Sequence, residues 1–172
     1  HPQNGASEEK EFSLLHSITT ILASSLNLKD TLEQIFKLLE QQTGIINGTL
    51  SLLDPSNNTI YTEKEYGFSD KTPKPDNRRQ RRQISKEVFK KNQPIIISDL
   101  SQHHSYAKQL VSNSENQVLS FFCLPITLGS EQIGILDGLF PLNNDEQFHK
   151  NLKVFYFITF MIAQEIQLML LM

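Results

Sequence analysis

The chain has 172 residues, 38% of them hydrophobic, a formal net charge of -3 and one cysteine. It has the length of one domain, and with no low-complexity tract this apolar content suffices for a real core. The single thiol, Cys123, excludes an intrachain disulfide and a thiolate metal cluster, and points to a reducing compartment, by default the cytoplasm.

Residues 1–7, His-Pro-Gln-Asn-Gly-Ala-Ser, read as a tag remnant or disordered start with no signal peptide, so residues 8–172 are the expected domain, cut from a longer protein. From Ser7 onward Phe12, Leu15, Ile18, Leu22 and Leu26 recur at helical steps, with His16 at the edge of the stripe. A second helix follows, with Asn27 as cap, Leu32, Ile35, Phe36 and Leu39 as its buried face and Gly44 as its stop. Thr49 to Asp54 reads as a strand, Pro55 to Asn58 as a turn and Thr59 to Tyr66 as the antiparallel partner. In that partner Ile60, Thr62, Lys64 and Tyr66 alternate with Tyr61, Glu63 and Glu65, and its polar face places it toward a sheet edge.

Lys71 to Lys91 carries nine basic and two acidic residues, so the rest of the chain is strongly acidic. Gly67 to Gln83 reads as a long loop and Ser85 to Lys91 as a short helix with Val88 and Phe89 inward. The basic island reads first as a solvated loop running into a helix, and as a phosphate- or carboxylate-binding surface only in second place. It lacks the interleaved aromatic residues of a single-strand nucleic-acid platform. Ile95 to Ser98 is the next strand, ending in Asp99. The polar connection Ser101 to Gln117 holds His103, His104 and Tyr106, without a carboxylate at ligand spacing, so no metal site is expected there.

Ser120 to Pro141 forms a hairpin about Gly129-Ser130-Glu131-Gln132. Its first strand is apolar on both alternations, Phe121, Cys123 and Pro125 against Phe122, Leu124 and Ile126, which demands cover on both faces of the sheet. The last element, a helix from Asp145, is too interrupted by Gln164-Glu165-Gln167 to span a membrane. Phe157, Met161, Glu165 and Leu168 trace a face distinct from Phe155, Ile158, Ile162 and Ile166, and are the candidates for a dimer interface.

This order of elements is α+β with an antiparallel sheet. Thr49-Leu50-Ser51-Leu52-Leu53-Asp54, Glu65-Tyr66-Gly67-Phe68, Gln93 to Asp99, Ser120 to Ile126 and Ile133-Gly134-Ile135-Leu136 resemble the successive landmarks of a GAF domain. More narrowly, they are similar to the amino-terminal GAF domains of nitrogen-fixation regulators and related enhancer-binding activators. The resemblance runs from Phe12 to Leu168. It implies a six-stranded antiparallel sheet with the terminal helices on one face and the loops and short helix on the other, around a ligand pocket. It also implies a sensory, regulatory role: a small molecule or partner controls an attached AAA+ ATPase that acts on RNA polymerase with an alternative sigma factor, with no direct DNA contact by this domain.

The chain departs from the family where Arg78 to Gln83 replaces a glycine-rich turn. Asn143-Asn144-Asp145-Glu146 lacks the cyclic-nucleotide signature, and one cysteine cannot serve as the thiol set of the methionine-sulfoxide-reducing relatives. The expected ligand-binding residues are Tyr66, Arg81, Arg82, Asp99, Phe121 and Cys123, with a metabolite such as 2-oxoglutarate as the expected ligand and the arginines to hold its carboxylate. Asp99 with His103 or His104, and Cys123 with a histidine, are the sets from which an enzyme would be built. Cys123 lies in an apolar strand where a thiol is inert, so a homodimeric, non-enzymatic sensor is expected, and a non-sensing dimerisation or docking module is the alternative.

Overall fold

The computed structural model describes residues 28–68, 75–103 and 117–170, with helical backbone also at Glu9 and Ser13. The expected first helix, with His16, and the connection holding His104 and Tyr106 otherwise lie outside these residues. In chain order the elements are α1 (Leu28–Thr43), β1 (Asn47–Asp54), β2 (Thr59–Tyr66), α2 (Pro75–Lys91), β3 (Ile95–Ile97), a 3-10 turn (Leu100–Gln102), β4 (Leu119–Leu128), β5 (Glu131–Pro141) and α3 (Asp145–Leu170). The strands form one antiparallel sheet in the order β2-β1-β5-β4-β3. The described residues thus supply five strands where six were expected.

Both faces of the sheet are covered, as the doubly apolar β4 requires. On one side Phe122, Leu124 and Ile126 of β4 and Leu136 and Phe140 of β5 pack beneath Leu32, Ile35, Phe36 and Leu39 of α1 and Phe155, Ile158 and Ile162 of α3. Phe155 stacks on Phe122 with ring centres 4.1 Å apart and meets Phe140 edge-on at 5.1 Å. Each such pair contributes about 0.5–1.5 kcal/mol beyond area burial. On the other side Phe121 and Cys123 of β4 and Ile135 and Leu139 of β5 lie under Ile84 and Val88 of α2 and Leu100 of the 3-10 turn.

Local chemistry sets the element ends. Gly44 stops α1 at φ 72°, its N–H donating to the Glu40 carbonyl, a left-handed step that suits glycine. The β4–β5 hairpin turns on two residues, Gly129 and Ser130, with Gly129 at φ 62° in the first position, where such turns favour glycine. Asn144 opens α3 by accepting the Gln147 N–H at 2.8 Å.

Two expectations are corrected. From Pro75 onward the basic island is helix rather than loop: α2 begins at that proline, a residue suited to the first helical position, and runs 17 residues through the arginines to Lys91. The helical stripe was hidden because an arginine occupies it. Arg81, Ile84, Ser85 and Val88, at three- and four-residue steps, are all buried, and only two of them are apolar. The second correction concerns β2. Leu50 pairs with Lys64 and Ser51 with Thr62, so Glu63 is an extra residue in a bulge. A bulge reverses the side-chain alternation beyond it. Tyr66 therefore faces α1 rather than sharing a face with Thr62 and Ile60, and Glu65 takes the opposite face.

Among the described residues no helix is long and apolar enough to cross a membrane.

Candidate functional site

Strands β1 and β5 run side by side with Thr49 opposite Asp137. On the face toward α2 they carry Thr49, Ser51 and Asp137, polar residues in a layer otherwise apolar. Asp137 is fully enclosed, and Arg81 of α2 descends onto it: the side chains are 2% and 5% exposed, and Arg81 Nη2 donates to Asp137 Oδ1 at 2.5 Å. Arg81 Nη1 donates to the side-chain oxygen of Asn47 at the start of β1. Ser85, one helical turn beyond Arg81, donates to the other Asp137 oxygen at 3.4 Å, and Thr49 also hydrogen-bonds the carboxylate. The phenyl rings of Phe68 and Phe121 lie 5.0 and 5.5 Å from the guanidinium carbon, within cation–π range.

Burial pushes the Asp137 carboxyl up from its ordinary range, and the Arg81 guanidinium with its hydrogen bond, then Ser85 and Thr49, offset that only in part. Burial likewise pushes the Cys123 thiol well above its ordinary value, with the Asp137 charge adding to the effect. The thiol sits 4.0 Å from Ser85 Oγ. A thiol held neutral in this way is no nucleophile.

One donor of the cluster is unmatched. Arg81 Nε is buried without a hydrogen-bond partner. Such an orphan costs about 1–3 kcal/mol of lost hydration. The space around the pair is small, about 10 Å³, and is lined by Thr49, Ser51, Thr62, Glu65, Phe68 and Arg82 among others. A recess of about 370 Å³ shares Ser51, Thr62, Arg82 and Ser85 with it and is completed by Ile60, Tyr61 and Lys86. Two cationic side chains beside three aliphatic hydroxyls and a phenol make that recess suited to an anion.

The sequence-based candidates divide. Arg81, Arg82, Phe121 and Cys123 come together on the α2 face of the sheet. Tyr66 does not join them: it stacks on Phe36 at 5.2 Å and 8°, and its hydroxyl donates to Glu40 on α1. Asp99 is also elsewhere, capping the 3-10 turn by accepting from the Ser101 N–H at 3.0 Å and its hydroxyl at 2.6 Å. His103 is exposed beside that turn. Asn47, Thr49 and Asp137 were missed. The available signal was Asp137 itself, a carboxylate inside the run Ile133 to Phe140, where an unpaired charge is too costly to bury.

Among the described residues there is no group of three histidine, cysteine or acidic side chains placed to hold a metal ion. Of the interface candidates on α3, Leu168 is exposed, while Phe157 and Met161 pack partly against the core. Among the described side chains of α3, the large hydrophobic ones that face outward are Tyr156, Phe160 and Leu168, at 44%, 59% and 59% exposure.

A family model described as GAF domain matches residues 25–150. The nitrogen fixation protein AnfA of Azotobacter vinelandii is 22% identical over 172 residues, covering 99% of this chain and 32% of its own length. The Nif-specific regulatory protein of Herbaspirillum seropedicae is 26% identical over 137 residues, covering 76% of this chain and 25% of its own. The chain therefore spans a third or less of the curated relatives that it matches. Among solved structures, the nlh2 GAF domain of A. aeolicus in an inactive state superposes with a TM-score of 0.69 at 17% identity, over 94% of this chain and 98% of that one. The free methionine-R-sulfoxide reductase of Neisseria meningitidis with its substrate gives 0.61 at 16%, over 91% and 88%. Both show a shared fold.

Proposed function

The chain belongs to the GAF domain family, and from that premise we propose that it is the sensory, regulatory domain of a transcriptional activator, controlling an attached AAA+ ATPase through a bound anion. In this reading the domain is a homodimer that does no catalysis of its own, and RNA polymerase with its alternative sigma factor is the partner of the whole protein. The relatives named as a nitrogen fixation protein and a Nif-specific regulatory protein support the regulatory role. The observation that carries the sensing is the recess beside Arg81, where Arg82 and Lys86 stand over the hydroxyls of Ser51, Thr62 and Ser85. Its 370 Å³ is within the range of small-ligand pockets, and a dicarboxylate such as 2-oxoglutarate matches its charge and its donors.

The unreactive environment of Cys123 supports a binding role over thiol chemistry. One observation favours the alternative of a docking module without a ligand: the Arg81–Asp137 pair closes the space in the centre of the site to about 10 Å³. Native mass spectrometry separates the two. With 2-oxoglutarate present, a dimer carrying one added ligand mass per protomer is the expected spectrum. A dimer that gains no mass with any small dicarboxylate would transfer the role to docking.

A further inference from the structure

The guanidinium of Arg81 presents two edges. One, formed by Nε and Nη2, has the geometry that a carboxylate fills with two parallel hydrogen bonds. In the structure Asp137 takes Nη2 at 2.5 Å, and Nε is buried without a partner. The second edge is committed, since Nη1 donates to Asn47. The Asp137 carboxylate is also held by Ser85, which donates to its other oxygen, and by Thr49. The pair is thus a half-satisfied contact in a place where full satisfaction is worth most. The neighbouring recess shares Ser51, Thr62, Arg82 and Ser85 with the space around the pair and adds the cationic Lys86.

We propose that Arg81 is a carboxylate-exchange site, at which a ligand carboxylate takes Nε and Nη2 together and displaces Asp137, which takes up a proton from solvent and stays among its hydroxyl partners. The inference rests on the anion-sensing reading and adds its mechanism. Asp137 lies on β5 in the centre of the sheet and Arg81 on α2, so the present pair pins that helix to the sheet. Exchange releases the polar pin while Ile84 and Val88 keep their apolar contacts. The ligand thereby changes how α2 is held, and α2, with its exposed basic side chains Arg79, Arg82, Lys86 and Lys90, is the element from which a partner would read the change.

The test follows the Arg81 Nε–H resonance by nitrogen-15 NMR during titration of this chain with 2-oxoglutarate and, separately, with glutarate. Exchange predicts a large downfield shift of that proton and slowed exchange with water. Asp137→Asn, which keeps the shape and the hydroxyl contacts but competes poorly for the guanidinium, should bind the dicarboxylate about 10-fold more tightly or better. Binding with an unmoved Arg81 Nε–H, lost in Arg82→Gln/Lys86→Gln, would overturn the exchange and leave anion sensing in place. If neither dicarboxylate binds wild type or Asp137→Asn, the sensing reading fails and the exchange with it. Should Asp137→Asn not fold, the wild-type Nε–H signal alone decides.

Discussion

Arg81 and Asp137 meet at 2.5 Å in the interior, 5% and 2% exposed. Removing one partner of such a pair leaves a buried charge uncompensated, at a cost of about 3–5 kcal/mol. Arg81→Met should therefore destabilise the domain by that amount in a urea titration. Arg81→Met/Asp137→Leu, which removes both charges, should recover much of the loss. A single variant within ~1 kcal/mol of wild type would mean that the pair contributes little to the fold.

Gly138 of β5 lies beneath the Phe122 ring. A Cβ there would stand 2.6 Å from that ring and 2.8 Å from the Ile45 side chain, and the ring is itself fixed by its stack on Phe155. Gly138→Ala should overpack this layer and cost about 1–3 kcal/mol, read as a lowered melting temperature. Trimming the obstacle with Phe122→Leu in the same chain should make the alanine less harmful than it is alone.

Cys123 is neutral and enclosed between β4, Ser85 and Asp137. In native buffer Ellman's reagent should therefore react slowly, at a rate set by opening of the α2 layer. In denaturant one thiol should appear at once. The carboxylate-exchange mechanism adds a direction: a bound dicarboxylate that unpins α2 should speed the native reaction, whereas a ligand that only stabilises the fold should slow it.

The layered fold was legible because its main signals are periodic. Leu32, Ile35, Phe36 and Leu39 mark one helix face, and the two-sided apolarity of β4 demanded layers on both sides of the sheet, which the structure shows. What periodicity could not show were exceptions to itself. The stripe of α2 contains an arginine, and its helix was read as loop until Ser85. The bulge at Glu63 exchanged the faces of Tyr66 and Glu65, so a ligand candidate became an α1 contact. Of the site, Arg81 was legible as a residue but not as a buried one. Its reason for burial, Asp137, lies 56 residues away, a separation that no local pattern bridges.

Tyr66 carries a pH prediction. Burial first, then the hydrogen bond to Glu40 and the charges of Glu40 and Glu33, push its phenol up to about 12 from an ordinary 10.0. A value raised on folding means that the folded state holds the proton longer than the unfolded one. The stability that this contributes is present in full below pH 10 and is lost as pH rises from there through about 12. Titration of the tyrosinate absorbance should show a component near pH 12 that is absent in Tyr66→Phe. The variant's stability should also fall less steeply over that alkaline window than the wild type's.

In the proposed homodimer α3 is the contact, and the outward apolar residues of that helix decide which substitution tests it. Phe160, at 59% exposure, presents far more free surface than Phe157, which packs partly against the core. A charge placed at Phe160 thus leaves the core intact, so Phe160→Glu should change monomer stability by less than ~0.5 kcal/mol. If α3 is the interface, the same change puts a carboxylate at an aromatic contact, where loss of the ring costs about 2 kcal/mol or more, on the order of a thirtyfold weaker dimer. Phe157→Glu should instead lower stability and association together, because its ring serves the core as well. Sedimentation equilibrium of the two variants beside wild type separates these effects. A dimer that persists unchanged in Phe160→Glu would move the interface off this face of α3.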